Sequence, residues 1–352
     1  MKLMGILVAI FMISACSGKH VIPDEGYAQT GINKTIRVAF DQDGNIYPLD
    51  TRKFDWANPD FAKWREPIFG TAYQLDEWFK PDYSNEYKEE IYSNVIGNIN
   101  QSISDGDTVV VMIHGFNTSY SEALSTYQLM RSKIDKNAFV IEVIWDGLYK
   151  RSQSKVDLSN LNFWNKALLY SNYAGNNGVR TLLNGIDKDI LLRFVTHSRG
   201  AAVAFSSILD PVYDSEFIII PRLPSLDNKH IKDVKMVLFA PAIGNGHITD
   251  DLEQGLMHDN VKVYLGTNKK DIATSKWKFS KVKGDTSLGG NLDYLNEKIY
   301  LMRKNISFQR AEFRHGGGHA LGNYFEDSEL TNCFFWAAEL KKDKPVGCFL
   351  YR

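Results

Sequence analysis

Several strong compositional signals are missing from this sequence, and each absence narrows the reading. Acidic and basic residues nearly cancel, 42 against 41, for a formal net charge of −1. There is no long block of like charge. The electrostatic footprint of a nucleic-acid binder is therefore missing, and no nucleic-acid partner is expected. No Cys, His and Asp cluster has metal-ligand spacing, so no catalytic metal is expected. No internal repeat or linker divides the 352 residues, which favours one domain with insertions. Cysteine is scarce, with Cys16, Cys333 and Cys348 the three present. What remains is ordinary globular material: 44% hydrophobic and 24% charged residues, enough for a sizeable core.

The apolar run near the start, Leu3 to Ile13, is 11 residues long and follows Lys2. That is too short to span a bilayer and reads as the core of a cleavable signal. The segment Ile13-Ser14-Ala15-Cys16 resembles the lipobox of bacterial lipoproteins. The resemblance implies that residues 1–15 are removed and that Cys16 carries lipid, leaving 16–33 as a tether to a membrane surface. An ordinary secretory signal is the alternative. Ser17, which is not an aspartate, points by the same resemblance to the outer membrane of a bacterial cell envelope. An exported chain meets an oxidising compartment, so Cys333 and Cys348 are expected to pair; two buried thiols are the alternative.

Along the rest of the chain, apolar runs alternate with helical spacing. "TIRVAF" reads as a strand, followed by a turn at Asp43-Gly44. Residues 50–83 show no period and read as irregular cover. Tyr87, Ile91, Val95, Ile96, Ile99 and Ile103 fall three and four apart, as on a helix. "TVVVMIHGF", "AFVIEVIW", "DILLRFV", "DVKMVLFAPA", "VKVYLGT" and "NISFQRAEF" read as strands, with helices such as "SEALSTYQLMRSKI" and "AAVAFSSIL" between them. Apolar runs alternating with helices predict an α/β fold: a mostly parallel sheet covered by helices on both faces. The aromatic-rich stretch 148–177 is either a lid over an acyl pocket or a core-packing helix pair.

In such sheets ligands sit past the C-terminal strand ends. There the sequence holds His114-Gly115-Phe116-Asn117, then Thr196-His197-Ser198-Arg199-Gly200, then Asn268 to Asp271, then His315 and His319. A serine hydroxyl needs a base, and the base needs an acid to orient it. Ser198 is the candidate nucleophile on a tight strand-to-helix turn. Gly200 supplies the small residue that turn requires, although Thr196 stands where glycine is usual. Asp271 is the candidate acid, with Asp250 or Asp251 the fallback and a solvated turn residue the ordinary reading. For the base, His114 and His197 sit inside the turns and suit structural hydrogen bonds. His319 is favoured because "ALGNYF" after it begins a helix that would fix it, and His315 is the alternative base. Two donors are needed for an oxyanion; the N–H groups of Arg199 and of Phe116, the latter beside Gly115, are placed to supply them.

"VVVMIHGFNTS", "FVTHSRGA", "LGTNKKDIA" and "GHALGNYF" together resemble the α/β-hydrolase superfamily. "HGFN" with "HSRG" resembles a bacterial branch of it near the lipases and esterases. The resemblance covers roughly residues 108–325. It implies the α/β-hydrolase fold, a serine hydrolase without cofactor, and a small-molecule or lipid ester as substrate. Amide or thioester cleavage on the same residues, or a non-catalytic envelope protein of this fold, are the other readings. The basic stretch around 268–284 suits a solvated loop or an anionic lipid surface. Nothing in the pattern bears on oligomeric state.

Overall fold

Val109, Val111 and Ile113 lie in one hydrophobic cluster, and Val110 and Met112 lie in another. Successive side chains of a strand point to opposite faces. A run that is apolar at every position therefore needs cover on both sides. The computed structural model describes residues 34–47, 85–135, 137–148, 161–209, 226–244, 261–271, 273–274, 287–290, 306–314, 316–348 and 350, with side chains of the helix at 161–173 described from Ala167.

Seven strands make up the sheet: β1 (Thr35–Phe40), β2 (Asp107–Ile113), β3 (Phe139–Trp145), β4 (Ile190–His197), β5 (Ile231–Phe239), β6 (Val261–Thr267) and β7 (Ile306–Glu312). Their order is β1-β3-β2-β4-β5-β6-β7, and every neighbouring pair is parallel. The seventh run, "NISFQRAEF", is thus an edge strand of the same sheet. The chain moves outward one way from β2 to β3, then returns to place β4 on the other side of β2. The topological switch lies between β2 and β4, where the strand ends open a crevice.

Helices cover both faces. They are α1 (Asn85–Ser102), α2 (Tyr120–Arg131), α3 (Leu161–Tyr173), α4 (Arg180–Asn184), α5 (Gly200–Ile208), α6 (Leu321–Glu326) and α7 (Ser328–Ala337), with a π-helical turn over Ala174–Val179. The predicted spacing in α1 buries Ile91, Val95 and Ile99. α2 begins at a capping box: Ser119 Oγ accepts from Glu122 N–H, and Glu122 accepts from Ser119 N–H at 2.8 Å. One cluster joins α1, α3, α4 and α5 to the sheet; the other joins α2, α6 and α7 to its opposite face.

Ala167, Leu168, Tyr170 and Ala174 belong to the first cluster. The stretch weighed above as a lid is therefore core from Ala167 onward, because its apolar side chains lie under α5; residues 149–160 lie outside the described residues. The expected cover at 50–83, the signal and tether at 1–33, and most of the basic stretch also lie outside them.

Charged residues within the sheet are paired, as burial demands. Glu142 on β3 meets Arg37 at 2.6 Å and also Arg131. Arg193 on β4, fully buried, meets Asp233 at 2.8 Å and Glu339 at 2.6 Å. Cys333 of α7 is disulfide-bonded to Cys348, which ties the C-terminal turn to the helix. Among the described residues no helix is long and apolar enough to cross a membrane.

Candidate functional site

β4 ends at His197, and the chain turns at Ser198 with φ of +54° before α5 begins at Gly200. A left-handed conformation is strained for a side chain with a Cβ and persists where surroundings enforce it. Here Ser198 N–H donates to Phe239 O at 2.9 Å, and Ser198 O accepts from Ala201 N–H at 3.2 Å and Ala242 N–H at 3.1 Å. The residues beyond β5 thus hold the turn. A Cβ on Gly200 would lie 2.6 Å from His114 O and 2.7 Å from Ile113 O. That close approach of α5 to the end of β2 explains the glycine. Thr196 is fully buried within β4, between Ile113 and Leu238 on the neighbouring strands. The bulk that sequence patterns exclude two residues before the serine is therefore accommodated here.

The structure brings Ser198, His319 and Asp271 together. His319 Nε2 is 2.7 Å from Ser198 Oγ, and His319 Nδ1 is 2.7 Å from Asp271 Oδ2. A carboxylate accepts only, so Nδ1 carries the proton and Nε2 is left to accept from the serine hydroxyl. Asp271 is fully buried. Its Oδ1 accepts from Ala273 N–H at 2.9 Å, and its Oδ2 accepts a second donor, the Tyr324 hydroxyl, at 3.0 Å. Burial pushes the Asp271 carboxyl up, but the bonds from His319, Ala273 and Tyr324 outweigh it and hold the group below the usual carboxylate range. Asn268 Nδ2 donates to Gly316 O at 3.2 Å, joining the loop that carries the acid to the loop that carries His319. His315, Asp250 and Asp251 lie outside the described residues.

The loop after β2 closes the other side. A Cβ on Gly115 would lie 3.0 Å from Ser198 Cβ, so this loop runs directly against the serine. Phe116, next in the chain, packs partly buried against the core. His114 anchors the loop. A carbonyl only accepts, so His114 Nδ1–H donates to Gly115 O at 2.8 Å, and Nε2 accepts Trp145 N–H at 3.1 Å. Trp145 Nε1 returns a bond to His114 O at 2.9 Å, and the rings stack 5.6 Å apart. Arg199 caps α5 with its side chain fully buried, and its backbone N–H opens the helix beside Ser198.

His197 holds His319 from behind. Its Nε2–H donates to His319 O at 2.7 Å, and the two rings are 5.0 Å apart. Burial, reinforced by the neighbouring His319, pulls the His197 pKa down to about 3. Burial does the same to His114, to about 4. Both histidines are neutral in the folded protein. In the unfolded chain they titrate near about 6.5, so the unfolded state binds more protons below that value. Stability is fully present above pH 6.5 and is lost as pH falls toward the folded values. For His114, buried completely, the expected slope approaches about 1.4 kcal/mol per pH unit between about pH 6 and 4. Urea unfolding at a series of pH values measures it, and His114→Asn should flatten the slope.

Two of these groups could be read in part from sequence. His114 and His197 were expected as structural hydrogen-bonders in the turns. Tyr324 gave no signal beyond its place in "GHALGNYF", where the first turn of α6 carries it back over the loop that holds His319.

The sequence pattern of one family, described as alpha/beta hydrolase of unknown function (DUF900), matches residues 91–300. Solved structures to which the chain is similar include esterase PE8, 14% identical with a TM-score of 0.36, covering 67% of this chain and 94% of that one. TT1662 from Thermus thermophilus is 11% identical with a TM-score of 0.35, covering 68% and 91%. The apo form of Thermogutta terrifontis esterase 2 is 12% identical with a TM-score of 0.32, covering 68% and 87%. No curated protein matches the sequence. The family match spans more than half of the chain and includes Ser198 and Asp271; this protein belongs to the alpha/beta hydrolases of the DUF900 family.

Proposed function

We propose that this protein is a serine hydrolase that cleaves carboxylic esters, lipid esters among them, through an acyl-enzyme. The observation that carries the reading is the continuous chain of two 2.7 Å contacts from Ser198 Oγ through His319 to Asp271. In this reading Ser198 Oγ attacks the carbonyl carbon while its proton passes to His319 Nε2. Asp271 stabilises the imidazolium. The N–H groups of Phe116 and Arg199 receive the developing oxyanion, each such donor contributing about 10²–10³-fold. Collapse of the tetrahedral intermediate expels the alcohol, which takes the proton from His319. Water then attacks the acyl carbon, His319 takes one of its protons, and the acid is released with Ser198 restored.

The ring of His319 keeps 28% of its side chain exposed while Asp271 has none. A substrate therefore approaches over the histidine and the Gly115 loop. Lipid on Cys16 would hold the domain at the envelope membrane, most simply the outer one, within reach of lipid esters. The Cys333–Cys348 bond agrees with an oxidising compartment.

A fluorophosphonate probe applied to cells expressing the full chain tests both parts. The wild type should be labelled and found with membranes; Ser198→Ala should not be labelled; Cys16→Ala should be labelled but absent from membranes. Equal labelling of Ser198→Ala sinks the serine mechanism. Membrane recovery of Cys16→Ala sinks the anchor. A panel of matched esters, amides and thioesters ranks the bond cleaved, and a folded wild type inert to probe and panel alike overturns the enzymatic reading.

A further inference from the structure

We propose that Tyr324 is a positioning residue that tempers the base, because its hydroxyl shares Asp271 Oδ2 with His319 Nδ1 and draws charge from the atom that faces the imidazole. The inference rests on the reading of Ser198, His319 and Asp271 given above.

The geometry is specific. Tyr324 is fully buried, and its hydroxyl donates to Oδ2 at 3.0 Å, the same oxygen that His319 Nδ1 meets at 2.7 Å. The other oxygen, Oδ1, is already taken by Ala273 N–H. Two donors therefore compete for one oxygen. The ring is held by Phe313 at 5.1 Å and Phe239 at 6.0 Å, and the Tyr324 carbonyl accepts from Thr331 Oγ1 at 2.6 Å. Packing thus fixes the hydroxyl without relying on the bond to Asp271. Burial, with the charge of Asp271 added, pushes the tyrosine pKa far up, so the group stays a donor at every working pH.

The consequence is electrostatic. A hydrogen bond to a carboxylate oxygen lowers the negative charge felt by its other partner. With the hydroxyl in place, the His319 imidazolium is stabilised less than a lone carboxylate would allow. The hydroxyl thus sets how strongly Asp271 supports the imidazolium that forms when Ser198 gives up its proton. Among the described residues, the groups bonded to His319 through its ring or carbonyl are Asp271, Ser198 and His197, and His197 is neutral at working pH because its pKa lies at about 3. The side chains packed on Tyr324, Phe239 and Phe313, carry no charge. The acid limb of kcat/KM, which reports the base of the free enzyme, therefore reads the balance at Asp271 Oδ2.

The test is the pH profile of kcat/KM for an activated ester, using the full chain. Tyr324→Phe removes one oxygen and keeps the ring. Its acid limb should move up by about 0.5 pH unit, the direction set by a more basic His319. Placing 3-fluorotyrosine at position 324 makes the hydroxyl a stronger donor and should move the limb down. Thr331→Val loosens the backbone of the same residue but keeps the hydroxyl, and should lower Tm without moving the limb. A superimposable or lowered limb for Tyr324→Phe overturns the inference, as does an equal shift for Thr331→Val. If Ser198→Ala hydrolyses the ester like the wild type, the underlying reading fails instead. If Ser198→Ala is inactive and the limb stays put, only the role of Tyr324 is lost.

Discussion

Asp271→Asn is expected to lower kcat by about 10⁴-fold while the protein stays folded. The reason is a count of donors. Asp271 accepts from three: Ala273 N–H on one oxygen, and His319 Nδ1–H and Tyr324 O–H on the other. Asparagine offers one oxygen and one NH₂. If the oxygen faces Ala273, the NH₂ points at the imidazole. His319 then takes the tautomer with its proton on Nε2, facing Ser198, and can no longer act as base. If the oxygen faces His319 instead, the NH₂ meets the backbone N–H of Ala273, and two donors are left opposed beside a fully buried side chain. A buried donor left unsatisfied costs about 1–3 kcal/mol. The first arrangement satisfies more groups, so the wrong tautomer should dominate. Steady-state hydrolysis of an activated ester and the rate of fluorophosphonate labelling should fall together. A loss smaller than tenfold, with Tm unchanged, would mean that Asp271 is not the acid.

Gly200→Ala is expected to be strongly destabilising although it adds a single methyl group. Its new Cβ would sit 2.6 Å from His114 O and 2.7 Å from Ile113 O, both backbone atoms at the end of β2. Neither can swing aside as a side chain would. Either α5 retreats or the β2 loop does, and both moves separate Ser198 from Gly115. Overpacking of this kind costs about 3 kcal/mol, or about 4 °C in Tm for a domain of more than 300 residues. Labelling at Ser198 should slow at temperatures where the variant is still folded, because the same movement displaces the oxyanion donors. Gly97→Ala on α1, where nothing lies within 4 Å of the new methyl, is the matched control. It should raise Tm slightly, since alanine is favoured over glycine in a helix by about 1 kcal/mol. Equal Tm values for the two variants would refute the packing argument.

These outcomes bear on how much could be read from sequence. The central strands were legible because they are buried on both faces and largely apolar, as in Val109 to Ile113. Their order was not. Which strand lies beside which depends on contacts between residues far apart, and nothing local to β1 says that it flanks β3. The serine turn was legible through Gly200 and the small residues of α5. The apparent departure at Thr196 lost its force once the close contact proved to lie at Gly200. The stretch 148–177 stayed open between two readings because a core-facing helix and an acyl-covering flap draw on the same aromatic and aliphatic residues. Only the position of Ala167 and Leu168 beneath α5 separates them. Tyr324 was invisible for a different reason. A tyrosine on a short helix is ordinary, and its meaning comes from the oxygen it shares.

The strand order also sets a sequence of events in time. A chain is made from its N-terminus, and the parts of this site are drawn from Gly115, Ser198, Asp271 and His319 in that order. The nucleophile and the loop beside it belong to strands that can pair early, at the centre of the sheet. His319 arrives only after β7, with 33 of the 352 residues still to follow, 352 minus 319. In the mechanism proposed above, a half-made chain would thus be unarmed: it would have Ser198 but not the residue that takes its proton, and hydrolysis would wait for the far edge of the sheet.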